Sequence, residues 1–297
     1  MTGDRIMKSM DALTRRGLLK VGLVGSAAAA AAALPAAARA APAQAAQAAG
    51  DPFKGLKVGI ASYSLRKFNL DQAIAMTKEA GVKYICLKDM HLPLKSTTAE
   101  RKAARKKLDD AGLVLMGCGV VTIPNKEDAV KEVFEYAKDA GMPTIVCSPE
   151  PDALDAIEKM VRQYDIRIAI HNHGPGDKKY PLPGDVLKMV KDRDPRMGVC
   201  MDVGHTARMG QDPVAALKEC APRLLDFHMK DVTAATAKGG PVEVGKGVID
   251  IKAVLKALLD AKFAYHVALE YEAKADAPMP GIIESFNFIR KTLATLA

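Results

Sequence analysis

Six histidines occur in the 297-residue chain, and five of them stand at or just beyond the ends of short apolar runs. The run from Ile168 to Gly174 reads IAIHNHG, apolar alternation that stops at two histidines around an asparagine. With a period of two, His171 and His173 point to the same side and can share a ligand. Other runs end in a similar way. Tyr63 and Ser64 follow KVGIAS, Lys88 and His91 follow KYICLK, and Glu150 follows PTIVCS. Asp202 and His205 follow MGVCM, His228 and Lys230 lie in LLDFHMK, and Glu270 and Glu272 close YHVALEYE. Carboxylates and imidazoles from separate strands can converge on one divalent cation and leave positions open for a substrate. A single strand histidine is more often a hydrogen-bonded core residue, Asp202 could cap a helix or turn, and Glu272 could be solvated. The convergence of the whole set points to metal chemistry.

Such convergence needs a scaffold that lines up strand ends. Along the chain one unit recurs: a short apolar run, a polar turn, then an amphipathic helix. The first three helices, 70–80, 98–111 and 126–140, each stop at an Ala-Gly pair, at Gly81, Gly112 and Gly141. Further helices are expected at 152–164, 183–191, 213–220, 251–261 and 282–292, which makes eight units. Alternation of strand and helix argues for a parallel sheet, and eight units in this length argue for an α/β (β/α)8 TIM barrel. No GxGxxG follows the first strand, which weighs against an open dinucleotide-binding sheet. In a barrel the chemistry sits at the C-terminal ends of the strands, where these polar residues fall. Parity places Asp226, His228 and Lys230 on one face of the seventh strand, and His266, Ala268 and Glu270 on one face of the eighth.

The first forty residues are set aside from the fold. TRRGLLK with paired Arg15 and Arg16, an alanine-rich run from Val21 to Leu34, and ARA at Ala38 to Ala40 resemble a twin-arginine (Tat) export signal. The run is short for the roughly 20 residues of a membrane span, so no stable span is expected after processing. Residues 41–52 read as a disordered leader and 53–297 as the catalytic barrel. Export by this route implies a passenger that folds, and fills a metal site, in the cytoplasm, with the Tat machinery as partner and a periplasmic or otherwise exported destination. The net charge of +8 falls to +4 without the signal, too weak a bias to argue for nucleic acid. The five cysteines are odd in number, form no CxxC and lie mostly in apolar runs, which suits buried thiols.

Four segments, MDVGHTARMG from Met201, FHMKD from Phe227, VEVGKGVIDI from Val242 and ALEYE from Ala268, resemble in order and spacing the xylose isomerase-like TIM barrels of the sugar phosphate isomerase/epimerase family. The resemblance runs from about Leu56 to Ala297. It implies one divalent ion (manganese, magnesium, zinc or cobalt) and a small sugar substrate. It matches Asp202, His228 and Glu270 to metal ligands and His205 to a substrate-contacting histidine. The segment around Gly245 and Gly247 matches a substrate-facing loop. Many members carry a metal-binding glutamate where this chain has His171. Glu150, on the neighbouring strand, is then expected to complete a ligand set of Glu150, Asp202, His228 and Glu270, with His171 as ligand or base.

The chemistry expected is deprotonation beside a carbonyl with the anion stabilised by the metal. Catalytic candidates are His171, Lys88, His205, Lys230 and Glu270; substrate-binding candidates are Tyr63, His91, His173, His205 and Glu272. Isomerisation or epimerisation of a non-phosphorylated sugar or keto-sugar is the first reading, with elimination or hydration of a keto-glycoside or dehydrated sugar as the alternative. An endonuclease IV-like nuclease would need a multi-zinc cluster with more ligands, and a non-catalytic sugar binder would need no metal.

Overall fold

The computed structural model describes residues 50–296, and there the apolar runs become strands. These are β1 (Lys57–Ala61), β2 (Tyr84–Leu87), β3 (Val114–Ile123), β4 (Thr144–Pro149), β5 (Arg167–His171), β6 (Met197–Asp202) and β7 (Leu224–Met229). A short antiparallel pair, β8 (Asp231–Val232) and β9 (Pro241–Val242), precedes the last strand, β10 (His266–Leu269). The order β1-β10-β7-β6-β5-β4-β3-β2 closes on itself, a TIM barrel. Closure sets β5 across the barrel from β1, and β6 across from β2.

Local chemistry explains where the helices start and stop. Asn69 and Gln72, then Thr97 and Glu100, form capping boxes that open the helices Leu70–Glu79 and Thr98–Asp110. Gly81, Gly112 and Gly141 take φ of +70°, +73° and +68°, the left-handed stop that the Ala-Gly pairs imply. Two elements differ from the sequence reading. β3 continues through VVTI to Ile123, because Val121, Thr122 and Ile123 pair with Cys147, Ser148 and Pro149 of β4. A helix Val203–Arg208 starts directly after β6, nucleated by Asp202, whose Oδ1 accepts the His205 N–H at 2.7 Å.

The parity of the strands divides the core. Phe227 and Met229 belong to the large apolar layer between sheet and helices. Cys86, Val146, Ala169, Cys200 and Leu225 form a separate small cluster that fills the barrel. Asp226, His228 and Lys230 are all buried. All five thiols are free and buried. The twin-arginine segment and the leader as far as residue 49 lie outside the described residues. Asp51, at the leader's expected end, accepts the N–H groups of Phe53 and Gly55 and starts the turn into β1. No helix among the described residues is long and apolar enough to cross a membrane.

Candidate active site

Four buried groups meet at the C-terminal mouth of the barrel: His171 at the end of β5, Asp202 at the end of β6, His228 on β7 and Glu270 just beyond β10. Their ligand atoms all lie within 4.8 Å of one another. Asp202 Oδ2 is 3.5 Å from His171 Nε2, which is 3.1 Å from His228 Nδ1, which is 3.4 Å from Glu270 Oε2. Lys230 Nζ closes the ring, 2.9 Å from Glu270 Oε2 and 3.0 Å from Asp202 Oδ2.

These spacings suit a divalent ion. Bonds of about 2.1 Å in a tetrahedral site hold ligand atoms about 3.4 Å apart, close to the three measured edges. Asp202 Oδ2 is buried and accepts no aligned hydrogen bond, although Lys230 stands beside it as an ion pair. Two imidazoles and two carboxylates form a borderline-hard donor set suited to zinc, manganese or cobalt. Asp202 divides its labour: Oδ1 caps the helix and Oδ2 faces the cluster.

Burial and close charges set the protonation pattern. Burial pushes His171 down to about 3, so the ring is neutral. Burial acts on His228 too, but Glu270, Asp226 and Asp202 outweigh it and raise that imidazole to about 9. Burial also opposes charge on Asp202 and Glu270; His205, Lys230 and His171 hold the first well below the usual carboxylate range, and Lys230 and His228 hold the second there. Lys230 is buried as well, and Asp202, Glu270 and Glu272 together keep it firmly protonated.

Above the cluster opens a cavity of about 530 Å³, lined among others by Tyr63, Lys88, His171, His173, His205, Glu270 and Glu272. His173 and His205 flank His171, with ring centroids 4.4 Å and 5.9 Å from it. Tyr63 and Lys88 occupy the β1–β2 side, opposite the histidine wall. Lys88 Nζ donates to Val120 O at 2.5 Å. Arg208 Nη1 lies 3.2 Å from His205 Nδ1 and donates to it, which leaves the ring proton of neutral His205 on Nε2. Burial, chiefly, lowers His205 to about 4.

Some residues marked from the sequence lie elsewhere. Glu150 is not brought to the cluster; its half-exposed carboxylate pairs with Lys179 Nζ at 3.1 Å, because the chain turns outward after β4. His91 lies beside a neighbouring groove, its Nδ1 2.8 Å from Ser62 Oγ, which also accepts the Lys88 N–H. It pins the segment that carries Lys88. Gly245 and Gly247 pack behind the strand ends against Phe288 and Asp231 rather than on the cavity.

Asp177 joins the site from outside the sequence candidates. This side chain accepts the N–H groups of Lys179 and Tyr180 through Oδ1 and sets Oδ2 3.4 Å from His173 Nδ1. The GPGDKKY turn that follows the histidines was the available signal, since loops after barrel strands line the site. Lys179 of the same turn, and Thr122 and Ser148 at the ends of β3 and β4, also line the cavity.

The chain belongs to the xylose isomerase-like TIM barrel family, whose family model matches residues 74–292. An inosose dehydratase of Bacillus thuringiensis (strain Al Hakam) is 21% identical over 221 residues, which cover 67% of this chain and 72% of that protein. The 3-keto-D-glucoside 4-epimerase of E. coli superposes with a TM-score of 0.65 at 15% identity, covering 80% of this chain and 99% of its own. An L-ribulose 3-epimerase gives 0.66 at 15% identity, covering 81% and 95%. The two superpositions show a shared fold.

Proposed function

We propose that the protein is a divalent-metal-dependent enzyme that enolises a non-phosphorylated sugar or keto-sugar, as an isomerase or epimerase. The reading rests on one observation, the buried His171, Asp202, His228 and Glu270 donor set under an open cavity. When bound, the ion supplies Lewis acidity, polarising a substrate carbonyl and stabilising the negative charge left when the neighbouring carbon loses its proton. His173, with Asp177 Oδ2 3.4 Å from its Nδ1, takes that proton at Nε2. His205 offers its Nε2 proton to a substrate oxygen. Lys88, on the opposite wall, is placed to give a second proton to the other face of the same carbon, which inverts it, while the proton taken by His173 passes to solvent. Lys230 keeps Asp202 and Glu270 in place, and Glu272 and Tyr63 accept or donate to sugar hydroxyls.

Elimination or hydration is the second reading. The inosose dehydratase match favours it, as does the histidine at position 171 in place of a carboxylate base. With the twin-arginine signal read from residues 1–40, we infer an exported enzyme, and hence a substrate without phosphate.

The test is exchange of solvent deuterium into a panel of free sugars, keto-sugars and glycosides, with metal analysis of the folded protein. One ion per chain and exchange that is lost in His171→Ala support the reading. About three ions per chain would favour the nuclease reading by its multi-zinc requirement, and no ion would favour a binder. Absence of exchange and turnover across the panel sinks the enolisation scheme.

A further inference from the structure

Beyond the ends of β7 and β10, residues that face the site alternate with residues that face away from it. Lys230, Glu270 and Glu272 meet over the cluster, with Lys230 Nζ 2.9 Å from Glu270 and 3.2 Å from Glu272. Their chain neighbours Asp231 and Tyr271 are each 1% exposed and turn outward. The sheet no longer ties the two segments at this height. The last ladder pair is Leu269 with Met229, and one further bond runs from Glu270 N–H to Met229 O at 3.0 Å.

Residues 243–249 take over that tie. Asp231 Oδ2 accepts the N–H groups of Gly245 at 2.9 Å and Gly247 at 3.0 Å, while Oδ1 accepts those of Val232 at 2.9 Å and Ile249 at 3.3 Å. The approach is so close that a Cβ on Gly247 would stand 2.1 Å from Asp231 Oδ1. At the other end of the segment the Tyr271 hydroxyl donates to Glu243 Oε1 at 2.9 Å, and Val244 N–H donates to Ser285 Oγ at 3.0 Å. The segment is therefore a strap. It is fastened to the residue after Lys230 and to the residue between Glu270 and Glu272.

We propose that Asp231 and Tyr271 are positioning residues: through the strap they fix Lys230 against Glu270 and Glu272, and so set the carboxylate geometry that a divalent cation meets. This rests on the metal reading above. A carboxylate that swings freely must be ordered each time an ion binds, whereas one already held loses less entropy, and partners behind the ligands commonly change affinity by about 10- to 100-fold.

The test is calorimetric titration of Mn²⁺ and Co²⁺ into the wild type, Asp231→Asn, Tyr271→Phe and a control, Tyr136→Phe, with thermal melts of each metal-free protein. Tyr136→Phe also deletes one buried hydroxyl bond, to Leu92 O, on the far side of the barrel. The expected result is binding about tenfold weaker in Asp231→Asn and Tyr271→Phe, with the control unchanged despite a comparable drop in melting temperature. Affinities within about twofold of wild type in both strap variants, or an equal loss in the control, overturn the inference while the metal reading stands. Should Asp231→Asn fail to fold, Tyr271→Phe decides alone, since its ring packing is kept. A wild type that binds neither ion overturns the metal reading and this inference together.

Discussion

Gly204 has no side chain because Lys230 lies across it: a Cβ there would come within 2.8 Å of Lys230 Cγ and 2.9 Å of Cδ. The glycine of MDVGH and the lysine of FHMK, 26 positions apart by their numbering, are thus one piece of packing. The lysine stem crosses the short helix to reach Asp202 and Glu270.

Gly204→Ala tests that packing. The site is helical, where alanine is the better helix former, so the melting temperature should hold while the stem is displaced from Asp202. We expect cation affinity and turnover to fall about tenfold. Calorimetry and a thermal melt check this, and a variant that binds and turns over like the wild type would show that the stem yields freely.

His171 and Glu150 make opposite predictions. If His171 belongs to the donor set, His171→Ala weakens cation binding by about 100-fold or more, since a ligand is lost rather than a supporting partner. Glu150→Gln removes only an exposed pair with Lys179 and should leave affinity within about twofold. Metal content after exhaustive dialysis separates the two. A reversed order would return the fourth ligand to Glu150.

Asp177→Asn keeps an acceptor for the Lys179 and Tyr180 N–H groups but can turn an amide toward His173 Nδ1. The expected outcome is a loss of about 100-fold in kcat with KM little changed, the size of a general-base contribution. Steady-state kinetics on a substrate found by deuterium exchange would measure it. A change confined to KM would make His173 a binding group instead.

His266 gives a pH dependence separate from catalysis. Its ring is buried with neither nitrogen bonded, and burial lowers it from 6.5 to about 3. Between those values the unfolded chain holds a proton that the folded chain does not, so stability is present above pH 6.5 and is lost as pH falls toward 3. His266→Leu should remove about one proton from that slope and leave the protein as stable or more stable at neutral pH, because two unsatisfied nitrogens disappear. Melting temperatures from pH 4 to 8 follow it; an unchanged slope would contradict the assignment.

Much of the scaffold is readable because its signals are local. Period-two runs give the strands, Ala-Gly stops end the first three helices, and inward parity puts Asp226, His228 and Lys230 on one face. The helix after β6 was not expected because cap and ligand stand as alternatives for Asp202 in the sequence, whereas one carboxylate does both with different oxygens. Asp177 escaped because a single aspartate in a loop has no period, and its value comes from the turn that aims it at His173.

By itself the sequence determined the repeating unit, the barrel it closes into and the strand ends at which polar side chains gather, since alternation and helix stops act between near neighbours. Only the tertiary structure decided which of those side chains touch. Strand stagger and the path of each loop bring His171 to 3.1 Å from His228 and carry Glu150 out to Lys179. Those positions depend on closure of the whole ring, a distance between strands that no stretch of sequence encodes alone.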